Sequence, residues 1–269
     1  MFEKILLGFI SGIVQGVTEW LPVSSKTMLF FIFHMQDLSP TDSYMLSLLL
    51  NGSTVLAASI YFRRELYRML KSIWSRDSID FRLLVFLIIS TFITGLLGIF
   101  FSKSLIILLS ELSSRDVMIF VGAMLSVTAF LNWWRRKIRS SEKRISDIDT
   151  LDALLIGVAQ SFSVIPGVSR SGVTVLALVL RGYNVKDSLV ISFLMSIPAT
   201  LGGSIYSYIM SPKSFEVLEL GGVLLSVAVA TIISLTMIPL LLKLSYKVRS
   251  DIFLAGLSFI TIISGLLLG

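Results

Sequence analysis

Two short stretches hold most of the side chains that could do chemistry. The first reads Gln15-Gly-Val-Thr-Glu19-Trp-Leu-Pro22-Val-Ser24-Ser25-Lys26-Thr27. Gln15 and Glu19 are spaced i, i+4, so on a helix both project from one face. Pro22 ends that helix. Ser24 and Ser25 are then placed to cap a second one, from about 26 to 36. A helix start offers free N–H groups and a positive dipole end, which attract phosphate, and Lys26 adds a full positive charge. The second stretch is Pro166-Gly-Val-Ser169-Arg170-Ser171-Gly-Val-Thr174. Gly167 permits a tight turn. Ser169 or Ser171 can cap a half-helix running to about 180, and the rigid guanidinium of Arg170 suits bidentate phosphate binding.

Brought together, the stretches aim two helix N-termini, an Arg, a Lys and four Ser hydroxyls at one point, which would be strongly anionophilic. Glu19 does not fit a pure anion receptor, because a free carboxylate repels phosphate. It fits a ligand for a divalent metal bridging to phosphate, or a general acid/base. A neighbouring Ser could attack phosphorus while Arg170 steadies the equatorial oxygens. Plainer alternatives stand beside these readings: helix caps with a snorkelling Lys, and a structural Arg170–Glu19 ion pair. The metal and catalytic readings of Glu19 both stay open at this stage.

The elements that must position these residues lie in a membrane. Of 269 residues, 55% are hydrophobic and 15% charged, against about 25% charged in soluble domains, and the mean hydropathy is +0.88. The absence of cysteine excludes disulfides, thiolate catalysis and Cys-ligated zinc, and a single histidine, His34, cannot build a multi-His metal site. The net charge of +6 is read as topology anchors and headgroup contacts, not nucleic-acid binding, because the basic residues stand at the ends of apolar segments. The first apolar stretch runs directly into Gln15, Glu19 and Pro22, so it reads as part of the fold and not as a cleaved leader.

A span needs about 20 apolar residues. Six segments qualify: roughly 43–62, 83–101, 116–134, 187–210, 220–242 and 251–269. Regions 1–36 and 151–180 are each broken by polar residues and proline into stretches too short to cross, which suggests re-entrant hairpins. Loop charge tests the count. Arg63, Arg64, Arg68, Lys71, Arg76 and Arg82 follow the first span. Arg135, Arg136, Lys137, Arg139, Lys143 and Arg144 follow the third, and Lys243, Lys247 and Arg249 the fifth. The alternate loops 37–42, 102–115 and 211–219 are poor in basic residues. By the positive-inside rule the basic set is cytoplasmic. Hairpin 151–180 then enters and leaves from the cytoplasm, and hairpin 1–36 from outside.

Each half, 1–145 and 146–269, is therefore one hairpin plus three spans, in opposite orientations. The expected fold is an all-α polytopic membrane protein, with six transmembrane helices and two re-entrant helical hairpins in an inverted-topology repeat. A constant offset of 145 pairs Gly12 with Gly157, Gln15 with Gln160, and Ser24 with Ser169. Such repeats place their binding site near the midplane, between broken helices. Among weaker features, Asn51-Gly-Ser53-Thr54 and Ser192 to Gly203 put small and polar residues mid-span, consistent with close packing. Trp133 and Trp134 beside Arg135 look like an interfacial belt, and His34 reads as an interface residue.

These residues resemble the undecaprenyl-diphosphate phosphatases of the bacitracin-resistance type, over nearly the whole chain. The most specific elements are Glu19-Trp-Leu-Pro-Val-Ser-Ser25 and Pro166-Gly-Val-Ser-Arg-Ser-Gly-Val-Thr174. The resemblance implies removal of the terminal phosphate from a polyprenyl diphosphate lipid, of undecaprenyl or dolichyl type, which recycles a lipid carrier at the plasma membrane. It implies Ser25 as nucleophile, with Gln15 and Glu19 at the family's acidic pair and Arg170 as the phosphate-binding Arg. Ser24, Lys26, Thr27, Ser169, Ser171 and Thr174 would surround the phosphates. It also implies a divalent cation, Mg²⁺ or Ca²⁺, held through Glu19 and Gln15, and it leaves a homodimer open. Two positions depart from the family pattern: its first acid is Gln15 here, and its histidine is Met28. The Ser-Ser-Lys-Thr version is similar to archaeal members. A lipid-phosphate transporter or flippase on the same scaffold is the alternative, since broken helices in inverted repeat are also transporter architecture.

Overall fold

The computed structural model describes residues 2–76, 78–138, 142–244 and 250–267. The loop charges Arg139, Lys247 and Arg249 and the last two residues of the sixth span lie outside the described residues. The described chain is helical almost throughout, and six of its helices are long and apolar enough to cross a membrane: Pro40–Tyr61, Ile79–Glu111, Ser114–Lys137, Val185–Met210, Phe215–Leu244 and Ser250–Leu267. The six expected spans are therefore present.

In chain order, α1 (Phe2–Thr18) and α2 (Ser25–His34) flank the first break. The first span consists of α3 (Pro40–Asn51), a 3-10 turn at Gly52–Thr54, and α4 (Val55–Tyr61). A short helix, α5 (Arg63–Lys71), precedes α6 (Ile79–Glu111) and α7 (Ser114–Lys137). The second break lies between α8 (Thr150–Ser161) and α9 (Arg170–Leu180), and α10 (Val185–Met210), α11 (Pro212–Leu244) and α12 (Ser250–Leu267) complete the chain.

Serine and asparagine set many of the helix starts. Ser39, Ser78, Ser113, Asp149, Ser169 and Asn184 each accept a backbone N–H from the following turn, satisfying one of the otherwise unpaired donors there. Loop boundaries differ from the sequence expectation in three places. Region 102–115 was expected as a loop, but α6 continues to Glu111 because Leu105 and Leu109 are buried and no helix breaker intervenes. Basic loop 63–82 contains α5. Region 211–219 starts α11, which breaks at Glu219, where φ is 55°.

Small residues set how the helices approach. A Cβ on Gly12 would stand 2.8 Å from the Ser226 carbonyl oxygen, and one on Gly157 2.8 Å from that of Ser90. These contacts seat α1 against α11 and α8 against α6. The two glycines are the pair related by the offset of 145. Hydroxyls join the first span to α10: Ser204 and Ser207 donate to the carbonyls of Leu49 and Met45, each at 2.6 Å. Within lipid such close contacts and hydrogen bonds replace the hydrophobic drive. α7 packs on α12, so the three most extensive helix pairings, α1 with α11, α7 with α12 and α6 with α8, join one half of the chain to the other. At the basic end of α8, the fully buried carboxylate of Asp152 accepts from Lys143, Arg181 and Tyr183 at 2.7, 2.5 and 2.5 Å. Burial and the bond to Asp152 push the Tyr183 phenol well above its ordinary range.

Candidate functional site

The two breaks meet. α1 carries Gln15 on its last turn, and Glu19 follows in the turn beyond it, its N–H still bonded to the Gln15 carbonyl at 3.0 Å. Trp20 is buried edge-on against Phe193 at 5.0 Å, which anchors this turn in the largest apolar cluster. Ser24 then takes a left-handed conformation, φ 64° and ψ 76°, uncommon for a residue with a side chain. It reverses the chain so that α2 starts at Ser25. In the second break the left-handed position belongs to Gly167, φ 93°, where no Cβ is strained. Ser169 caps α9 through the Gly172 N–H.

The loops are bonded to each other and to α7. The Gly167 N–H donates to Thr27 Oγ1 at 2.5 Å, and Ser171 Oγ donates to the Leu21 carbonyl at 3.1 Å. Lys26 Nζ reaches the Ser163 carbonyl in the second hairpin. From α7, Asn132 Nδ2 donates to the Pro22 carbonyl at 2.8 Å, while Thr128 Oγ1 donates to the Gly167 carbonyl at 2.6 Å. One helix thus holds both breaks. Thr128 and Asn132 were missed in the sequence, although two buried polar residues within an apolar span are the signal that marks them.

At the centre, Glu19 is 5% exposed and accepts three hydrogen bonds. Oε2 takes the Ser25 hydroxyl at 2.5 Å and Gln15 Nε2 at 2.8 Å, and Oε1 takes Arg170 Nη2 at 3.0 Å. Arg170 Nη1 donates to the Ser192 carbonyl at 2.7 Å, while its Nε is buried and has no partner.

Glu19, Ser24, Ser25, Lys26, Ser169 and Arg170 line one cavity of about 80 Å³, a few waters' volume at roughly 30 Å³ each. The first turns of α2 and α9 begin on it. Thr27, Ser171 and Thr174, expected among the phosphate-facing groups, stand behind this lining. Their hydroxyls bond to Ser24 and Gly167, to Leu21, and to the Arg170 carbonyl and Ser192. These bonds tie the loops together. Met28 packs against the apolar cluster around Val23, Phe30 and Tyr44. His34 lies at the far end of α2, bonded to the Leu38 carbonyl and stacked on Phe30, away from the cavity.

The donor set does not fit a divalent cation. Among the described residues Glu19 is the one carboxylate lining the cavity, both its oxygens are engaged, and Arg170 and Lys26 line the same space. Among the described residues no three His, Cys, Asp or Glu side chains converge to hold a metal.

Residues 8–266 match the family model described as bacitracin resistance protein BacA. The chain belongs to that family. An undecaprenyl-diphosphatase of Saccharolobus islandicus (strain M.14.25 / Kamchatka #1) is 36% identical, covering 90% of this chain and 88% of the relative. Its namesake in Saccharolobus solfataricus is 35% identical over 98% and 96%. That of Methanococcoides burtonii is 34% identical over 97% of each. Family and fold together make the chain a multi-pass membrane protein. The buried Glu19–Arg170 pair stands where the two breaks meet, within the residues matched to the family.

Proposed function

We propose that this chain is a phosphatase of the cell membrane that converts a polyprenyl diphosphate, undecaprenyl diphosphate or a close relative, to the monophosphate. The observation that carries the reading is Ser25 Oγ at 2.5 Å from Glu19, whose other oxygen is held by Arg170, all lining one cavity. This arrangement suits a nucleophile, its base and a group that orients the base. The archaeal relatives named undecaprenyl-diphosphatase support the same chemistry.

The sequence of steps follows from the contacts. The terminal phosphate enters between the N-termini of α2 and α9, where helix N–H groups, Lys26 and the Arg170 guanidinium favour negative charge. Ser25 Oγ forms a bond to the terminal phosphorus as its proton passes to Glu19. The bond from that phosphorus to the bridging oxygen breaks, and the lipid monophosphate leaves with the electron pair and takes the proton from Glu19, which is free again to act as base. Water then attacks the phosphoserine, giving up a proton to Glu19. The Oγ–P bond breaks, inorganic phosphate departs and Ser25 regains its proton. Gln15 suits this role: its amide N–H donates to Glu19 Oε2 and helps to aim the carboxylate at Ser25. No step runs through a metal.

Opposite orientation of the two hairpins, with 151–180 entering from the cytoplasm, would place the site near mid-depth. The offset of 145 between Gly12 and Gly157 and the matching close contacts of these glycines support an inverted repeat. The functional reading is tested with purified protein and undecaprenyl diphosphate in detergent. Release of one phosphate per lipid with accumulation of the monophosphate supports it. Lipid movement in proteoliposomes without phosphate release overturns it.

A further inference from the structure

The phosphate cavity continues into a cleft between α6 and α10. Leu48, Thr94, Val164, Ala199 and Gly203 line both the phosphate cavity and a second, mainly apolar cavity of about 180 Å³ between these helices. A third, of about 590 Å³, adjoins the second at Thr91 and Pro198 and continues between the same helices past Ile88 and Leu194. Pro198, within α10, has no N–H to give and crowds the preceding turn. It stands where the two apolar cavities meet.

Glycine sets the width of this cleft, and no contact within the chain accounts for two of these glycines. At Gly12 and Gly157 a Cβ would collide with a neighbouring backbone, so helix packing requires them. At Gly95 on α6 and Gly202 on α10 an added Cβ would meet nothing within 4 Å, as at Gly221 and Gly256 elsewhere, but of these four only Gly95 and Gly202 line the cleft. Glycine inside a helix is destabilising relative to alanine, and here no protein neighbour gains from it. The space left open is apolar, faces lipid beside the largely exposed Phe92, and leads into the phosphate cavity.

We infer that the prenyl chain of the substrate lies in the α6–α10 cleft, with Gly95 and Gly202 making room for its methyl-branched first units. The inference rests on the phosphatase reading and goes beyond it. The cleft gives a diphosphate on a long branched hydrocarbon a seat that a short, soluble diphosphate cannot use. Selection then acts on the hydrocarbon through cleft width, and on the diphosphate through Arg170 and the helix ends.

The test compares kcat/KM for undecaprenyl diphosphate and for a water-soluble C10 prenyl diphosphate in Gly95→Leu and Gly202→Leu. The expected result is at least a ten-fold fall in the preference for the C55 substrate. Ile232→Phe, at an exposed position on α11 outside the cleft lining, should leave the preference as in the wild type. Should the leucine variants fail to fold, a second measurement decides. The chain has no cysteine, so Ile99→Cys, which lines the cleft, can be labelled alone with a lipid-soluble maleimide. Undecaprenyl monophosphate should slow labelling at least three-fold, and inorganic phosphate should not. An unchanged C55 preference, or labelling indifferent to the lipid, overturns the cleft and marks it as space filled by ordinary bilayer chains; the phosphatase reading would stand. Phosphate release from neither substrate by the wild type removes that reading, and the cleft proposal with it.

Discussion

Arg170 and Glu19, 151 residues apart in the chain, form an ion pair at 3.0 Å between the two breaks. Both side chains are almost fully buried, at 10% and 3% exposure. Removing one member strands the other, at a loss typically of about 3–5 kcal/mol for a buried pair. Arg170→Ala should therefore lower the thermal unfolding temperature in detergent substantially. Glu19→Gln/Arg170→Met, which removes both charges, should recover much of the loss. A double variant no more stable than Arg170→Ala would show that the pair does not hold the hairpins together.

Ser25 is the proposed nucleophile, so Ser25→Ala should lower kcat by about 10³-fold or more, in the range of lost nucleophilic and general-base catalysis. Ser24→Ala, which removes a lining hydroxyl beside it, should lower kcat far less. Quenched wild-type turnover should yield a phosphopeptide containing Ser25 by mass spectrometry. Wild-type turnover with no phosphate on Ser25, and a Ser25→Ala variant of ordinary activity, would assign the attack to water.

Gln15→Glu tests the donor set. A second carboxylate beside Glu19 supplies part of what the wild-type site lacks for a divalent cation, so after chelation phosphate release by the wild type should not change with added Mg²⁺, whereas release by the variant should become dependent on it. Wild-type release that is lost on chelation and restored by Mg²⁺, with Glu19→Gln weakening that response, would show that Glu19 already ligates a metal.

Much of this arrangement was legible in the sequence, for identifiable reasons. Six uninterrupted apolar runs marked the spans, and Pro22 and Pro166 marked the breaks that become helix starts at Ser25 and Arg170. Burying Glu19 and Arg170 in lipid is so unfavourable that each required a partner, and their pairing was foreseen as the structural alternative. Hydroxyl directions were not legible. Thr27, Ser171 and Thr174 were grouped with the phosphate-facing residues, but which way a short side chain points depends on the loop backbone. In particular it depends on the left-handed turn at Ser24, which no local residue preference announces. The extension of α6 to Glu111 was hidden by Ser102, Lys103 and Ser104, polar residues that interrupt hydropathy without interrupting a helix.

The buried Asp152 makes a separate prediction about stability. Asp152→Asn leaves Lys143 and Arg181 only the more distant, half-exposed Asp149 and should destabilise the region around α8 and α9 by about 3 kcal/mol, the lower end for breaking a buried pair given how exposed the two cations are. The loss should appear as a lower unfolding temperature, while KM for the lipid at low temperature stays near the wild-type value. A large change in KM without a change in unfolding temperature would move Asp152 from scaffold to site.

The most direct test of the central claim is phosphate release from undecaprenyl diphosphate by purified wild type, Glu19→Gln and Ser25→Ala, side by side in detergent. The account predicts steady release of inorganic phosphate by the wild type and at least a hundred-fold slower release by each variant, with monodisperse protein in all three. Release by Glu19→Gln and Ser25→Ala at the wild-type rate would contradict it.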